Sequence, residues 1–169
     1  MGLPAVLKNF LVSEDGGPYL GEVPEATLPK LTLKTDEYLA GGMIGPIPLD
    51  LGLEKLEMGW KLGGMNARVF RGFGASRHDA TQLRFTGAYQ SDSDAAVTAE
   101  LVIRGRHTEI DPGTAKVGDK NEISITTAVS YLKWTVNGRV EVEIDLLGMV
   151  FATNGIDRYA EIRMALGLI

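Results

Sequence analysis

Apolar and polar residues alternate along most of this chain, and the alternation changes phase at a few definite places. Between Thr27 and Gly64 the sequence begins as a strand on Leu28, Leu31 and Leu33. It then crosses a glycine-rich segment, Lys34 to Pro48, that is too polar for a core. It returns with Leu49, Leu51 and Leu53, and then with Leu56, Met58, Trp60 and Leu62. Strict alternation predicts half-buried strands. The apolar phase is odd-numbered up to Leu53 and even-numbered from Leu56, and a slip of one residue turns every side chain to the opposite face. A turn, bulge or sheet crossing is therefore expected near Glu54-Lys55. The intervening segment holds Gly41-Gly42, Gly45, Pro46 and Pro48 and reads as a long extended arm. Loops beyond about 12 residues in a compact domain are uncommon and usually functional. With Met43, Ile44 and Ile47 but no catalytic side chain, the arm reads as a surface that lies against a neighbouring protein.

The flanking regions are also mainly β. Leu7 to Ser13 predicts a first strand, ended by Glu14-Asp15-Gly16-Gly17-Pro18, with Tyr19 to Val23 as a hairpin partner. A short helix is expected over 66–73: Asn66 can cap it, Met65, Val69, Phe70 and Phe73 fall at helical spacing, and Gly74 can close it. Leu83, Phe85 and Tyr89 share one strand phase, and Val97, Ala99, Leu101 and Ile103 the next. A turn at Asp111-Pro112-Gly113 leads into a solvated loop. The run from Ile123 to Val136 changes phase, with Ile123, Ile125 and Val129 placed on one face and Leu132, Trp134 and Val136 on the other. That pattern predicts a bent strand shared by two packed sheets. Asn137-Gly138 is the strongest hairpin signal in the chain. Val140, Val142, Ile144 and Leu146 then alternate with Glu141, Glu143 and Asp145, and a last helix is expected over 156–166, capped by Asn154 and closed by Gly167. The architecture predicted is one mainly antiparallel β-sandwich or barrel over 1–169, with one or two short helices and the arm over 34–48.

Composition narrows the function classes. The chain has 169 residues, enough for one real core, and its 44% hydrophobic and 23% charged content is that of a globular domain. It has no cysteine, so disulfides, thiolate metal sites and cysteine nucleophiles are excluded. A net charge of −5 with no basic block argues against gripping nucleic acid by phosphate neutralisation, though not against nucleic acid passing by. No signal peptide is expected at the N-terminus, and Val6 stands where a myristoylation motif needs Ser or Thr. No apolar run approaches the roughly 20 residues of a membrane span, so no membrane anchor is expected.

Candidate chemistry is sparse. His78 lies in a polar loop and His107 in a strand, neither at metal-ligand spacing, and both are read as solvated or structural. Gly41-Gly42-Met43-Ile44-Gly45 lacks the Lys-Ser/Thr of a phosphate loop and opens no helix, so its glycines are read as conformational. No nucleophile elbow, carboxylate pair or dinucleotide fingerprint is present, so neither an enzyme nor a cofactor is expected. The acidic stripe Glu141, Glu143, Asp145 has two readings, a solvated strand face or a carboxylate-lined channel wall that keeps phosphates from sticking.

Across nearly the whole chain and in the same order, a set of segments resembles the major tail tube protein of contractile-tailed bacteriophages and R-type bacteriocins. They are L-P-K-L-T-L-K-T-D-E-Y-L-A-G-G-M, P-L-D-L-G-L-E, the Asp111-Pro112-Gly113 turn, Ala128-Val129-Ser130-Tyr131, and N-G-I-D-R-Y-A-E-I-R-M-A-L-G-L. The resemblance implies a structural virion protein, made in the host cytoplasm, whose hexameric rings stack into the inner tube of a contractile tail. It implies the tail sheath, baseplate, tail terminator and tape measure proteins as partners, with DNA in the lumen for a phage or ions for a bacteriocin. On it, Met43, Ile44 and Ile47 become intersubunit anchors and Glu141, Glu143 and Asp145 a lumen-facing stripe, while the helix over 66–73 faces the sheath. Two alternatives stay open: the tube of a bacterial secretion or injection system, and a ligand-binding barrel lined by Trp60, Trp134 and Tyr131.

Overall fold

A computed structural model describes residues 2–168. In chain order the strands are β1 (Val6–Glu14), β2 (Gly17–Pro18), β3 (Ala26–Thr27), β4 (Leu33–Tyr38), β5 (Ile47–Leu53), β6 (Glu57–Gly63), β7 (Thr81–Gln90), β8 (Val97–Asp111), β9 (Glu122–Val136), β10 (Arg139–Asp145), β11 (Val150–Thr153) and β12 (Ile156–Asp157). Helix α1 (Ala67–Arg71) separates β6 from β7, and α2 (Ala160–Ala165) follows β12. The main sheet runs β12-β11-β10-β9-β8-β7-β1-β2, with β6 on β9 and β3 on β6, while β4 and β5 form a separate two-stranded sheet. Every pairing is antiparallel. The mainly β architecture with two short helices is the one the alternation predicts.

β9 is the hinge of this arrangement. One edge pairs with β8 along most of its length; the other pairs with β6 over Glu122 to Ala128 and with β10 from Tyr131 onward. The phase change lies here, but its meaning differs from the expectation. The register with β8 skips from Gly105↔Val129 to Arg104↔Tyr131, so Ser130 is the extra residue of a bulge. A bulge restores the face that a phase change would otherwise reverse. Ile123, Ile125, Val129 and Leu132 consequently enter one core, rather than two faces, together with Met58, Trp60, Leu62, Leu101 and Ile103. The expected break at Glu54-Lys55 is a sheet crossing, since β5 belongs to the small sheet and β6 to the large one.

Three hairpins turn on residue pairs with left-handed backbone: Asp15-Gly16, Asn137-Gly138 and Asn154-Gly155. Two consecutive positive φ values suit the tight turn whose twist matches a hairpin. Asn154-Gly155 therefore joins β11 to β12 and caps no helix; α2 begins only at Ala160, without a side-chain cap. α1 follows its prediction more closely. Asn66 accepts from the Arg68 N–H at 2.9 Å, and Val69 is buried. Met65, Phe70 and Phe73 nevertheless stay exposed, so Val69 is the apolar side chain by which this helix enters the core. Tyr19 to Val23 is no strand: the partner of β1 ends at Pro18, and only the Tyr19 N–H prolongs the ladder, to the Val12 carbonyl.

Candidate functional site

The densest polar constellation is buried beneath the turn between β1 and β2. Glu14 is 4% exposed and His107 3%. The His107 Nε2 lies 2.7 Å from Glu14 Oε2, and its Nδ1 lies 2.9 Å from the Thr127 hydroxyl. Tyr19 donates to Glu14 Oε1 at 3.1 Å, and the Trp60 indole donates to Thr127 at 3.2 Å. Arg68 of α1 stacks its guanidinium 4.6 Å from the Tyr19 ring centre and donates to the carbonyls of Glu14 and Gly17. Burial first, then the nearby Glu14 carboxylate, pushes the Tyr19 phenol well above its ordinary value.

This network joins β1, β6, β8, β9 and α1, and each polar atom has a partner, so it resembles a structural tie rather than a reacting centre. A substrate would have to displace those partners to reach it. The sequence did hold a signal for it. His107 continues the core phase of Leu101 and Ile103, Thr127 that of Ile123 and Ile125, and Glu14 that of Val12. Polar residues in apolar phase point to a buried network. The other histidine, His78, is exposed beside the Ser130 hydroxyl at 3.2 Å. Among the described residues no group of His, Asp or Glu is arranged to hold a metal ion.

Glu141, Glu143 and Asp145 lie on the open side of the main sheet, out of phase with buried Ile144. Each has a local partner. Tyr131 donates to Glu143 at 2.9 Å, Asp145 accepts from the Gly148 N–H at 3.0 Å, and Glu141 lies 3.9 Å from Arg139. Burial and then the Glu143 hydrogen bond push the Tyr131 phenol up to about 12. Pairing across the sheet places Glu143 opposite Lys133, Lys133 opposite Val102, and Val102 opposite Arg84. Arg104 lies over the Tyr131 ring, and Arg84 lies 3.5 Å from Glu100. The stripe is thus one column of a face of mixed sign, lined elsewhere by Thr86, Thr98 and Thr135.

The arm is more regular than its composition suggests. Over 34–48 it is largely a β-hairpin, since β4 pairs with β5 from Leu33↔Leu53 to Tyr38↔Ile47. Both strands are exposed on both sides, apart from partial cover at Gly52 and Leu53, so alternation carries no information there. The three candidate anchors differ. Met43 is half-buried, its sulfur accepting from the Ala40 N–H at 3.3 Å, Ile47 is half-exposed, and Ile44 at the tip is 108% exposed. An isolated two-stranded hairpin is marginal in water.

The three aromatics of the ligand-barrel alternative do not converge. Trp60 is in the core and Trp134 packs at its margin, whereas Tyr131 stands on the open face under Arg104.

The model of the family described as phage tail tube protein FII matches residues 4–167. The chain is 40% identical to the tail tube protein of Escherichia phage P2 over 172 residues, covering 99% of this chain and all of that one. It is 37% identical to the major tail tube protein of Serratia phage KSP20, covering 99% of each. In fold it is similar to the sheath/tube terminator of an extracellular contractile injection system in its extended state, with a TM-score of 0.60 at 10% identity over 79% of this chain and 97% of the other. The matched family and relatives are structural tail tube proteins rather than enzymes, and the match leaves almost no residue of the chain outside it. The match over residues 4–167 and the two relatives at 40% and 37% identity make this chain a member of the phage tail tube protein family.

Proposed function

We propose that copies of this chain close edge to edge into hexameric rings, and that the rings stack head to tail into the inner tube of a contractile tail. The polar face of the main sheet lines the lumen. The observation that carries this reading is the segregation of the exposed surface. The open face of the body is mostly hydroxyls and charges of both signs, with only Leu11, Val102 and Val140 among them, while the arm (Leu49, Leu51, Ile44), α2 (Ile162, Met164) and the N-terminal region (Val6, Leu7) expose runs of large apolar residues. A conduit wall must hold water and release a polyanion. The mixed face offers no continuous basic track on which phosphates would displace counterions. The apolar regions are what a monomer leaves uncovered and an assembly buries.

The free edge fits ring closure. β1 pairs with β7 along its length, but on its other side meets β2 only at Ser13 and Glu14. An open edge invites another strand, and closure into a ring removes it. Stacking through a heterologous contact then extends the ring into a tube. The arm, with Met43, Ile44 and Ile47, reaches a neighbouring copy. The sheath surrounds the tube, the baseplate and terminator bound its ends, and the tape measure protein and then DNA occupy the lumen. Synthesis is in the host cytoplasm and the product travels in the virion tail. The work is mechanical, without bond chemistry or a cofactor. The two phage relatives favour a phage tail over a bacteriocin or secretion device. Negative-stain electron microscopy of the purified chain, with sedimentation velocity at rising concentration, tests the proposal. Hollow tubes or six-fold rings are expected, and a monomer at every concentration, even when seeded with preformed tubes, refutes it.

A further inference from the structure

A cleft of about 460 Å³ opens between the base of the arm and the β10–β11 hairpin, walled by Leu31, Leu33 and Leu53 on one side and by Val142, Phe151 and Tyr159 on the other. Tyr159 stacks on Phe151 at 6.2 Å and 7°, which fixes that wall. Two charged residues line the cleft, and both are already engaged: Asp50 accepts from the Gly52 N–H at 2.8 Å, and the Arg158 Nε donates to Thr153 at 3.1 Å. These two side chains are exposed and opposite in sign, and the rest of the lining is mainly apolar, so an uncharged, apolar occupant fits best.

The chain carries a group of that kind. From Leu39 to Pro46 the tip of the arm has no charged residue, and Ile44 stands fully in solvent at its apex. The tip cannot fill the cleft of its own chain. The cleft lies at the Leu33↔Leu53 end of the hairpin and the tip beyond the Tyr38↔Ile47 end. Five residue steps of strand separate them, roughly 17 Å, before the loop begins. A knob and a hole at opposite ends of one paired hairpin are satisfied between copies, by a head-to-tail contact that repeats without self-pairing.

We infer that the cleft at the base of the arm receives the Ile44 tip of a second copy of this chain. The inference rests on the tube reading and names its receiving surface. Each subunit then offers one knob and one hole, and the otherwise marginal hairpin is held at both ends in the assembly.

The absence of cysteine makes the test direct. Chains carrying Ile44→Cys with Thr153→Cys, and Ile44→Cys with Leu31→Cys, are assembled and treated with a short bis-maleimide. A ladder of covalent oligomers from both double variants, absent from each single variant, is expected. In parallel, Ile44→Asp should leave the monomer's melting temperature unchanged and raise the concentration needed for assembly roughly tenfold or more. Tubes that form normally but give no ladder, or that form from Ile44→Asp at the wild-type concentration, overturn the inference alone. Failure of the unmodified chain to form any ordered assembly overturns the tube reading and the inference with it.

Discussion

Replacing His107 with leucine isolates the buried network from the rest of the fold. The change keeps an apolar body of similar size against Trp60 but deletes both ring nitrogens. Glu14 Oε2 then loses a partner at 2.7 Å, and the Thr127 hydroxyl loses one at 2.9 Å, leaving Glu14 with the Tyr19 hydroxyl as its remaining side-chain donor. Leaving the Glu14 carboxylate buried without this partner costs about 3–5 kcal/mol, far more than the intact contact contributes. In a chain of this length each kcal/mol lowers the melting temperature by about 2–4 °C, so a drop of roughly 6–20 °C is expected. Adding Glu14→Gln removes the stranded charge while keeping an acceptor for Tyr19, and should recover about a third to a half of the loss. The assay is urea unfolding of the four chains of the double-mutant cycle, on assembly-deficient protein so that only the monomer is read. A coupling energy of about 1.5 kcal/mol or more is expected. If the two changes add to within about 0.5 kcal/mol, or His107→Leu costs less than about 1 kcal/mol, the network is only packing and the reasoning fails.

Gly105→Ala should destabilise the monomer by more than about 3 kcal/mol, because its Cβ would stand 1.8 Å from the Ala128 carbonyl oxygen, backbone that cannot swing aside; calorimetry showing a wild-type melting temperature contradicts this. Replacing Ala40–Pro48 with an Asn-Gly turn should shift the melting temperature by less than about 3 °C, since the arm strands are almost wholly exposed, yet abolish assembly seen by electron microscopy. Tyr131 titrates at about 12 in the folded chain against 10.0 when free, so the folded state keeps a proton that the unfolded chain releases. That contribution is complete below pH 10.0 and is lost as pH rises through about 12, a loss that urea melts should show shrinking in Glu143→Gln. Changing Glu141, Glu143 and Asp145 together to Lys makes the face basic beside Lys133 and Arg104; tubes should assemble while DNA delivery falls, and unchanged infectivity removes these residues from the lumen.

Much of the fold could be read from one-dimensional signals because its causes are local. Alternation located β6 to β10, Asn137-Gly138 turned where its backbone preference dictates, and Asn66 capped α1. The order of segments, from Leu28 to the last helix, was enough to point to the tail tube family, although 28–32, expected as a strand, lie between β3 and β4. What the sequence could not settle depended on partners distant along the chain. The phase change in β9 reads identically whether the strand turns its faces over or inserts a bulge. Only the register with β8 decides for the bulge at Ser130. The arm reads as a loop over 34–48 because β4, with both faces in water, carries no alternation; β5 alternates at Leu49, Leu51 and Leu53, but only the pairing shows that its partner is β4. Asn154 reads as a helix cap in the sequence because one dipeptide can cap a helix or turn a hairpin, and the choice lies with the pairing of β11 and β12. The stripe at Glu141, Glu143 and Asp145 is legible as a pattern, but of the cations on its face Arg104 and Lys133 come from β8 and β9. Charge at a surface is set by what the fold brings alongside, and sequence spacing carries no record of that.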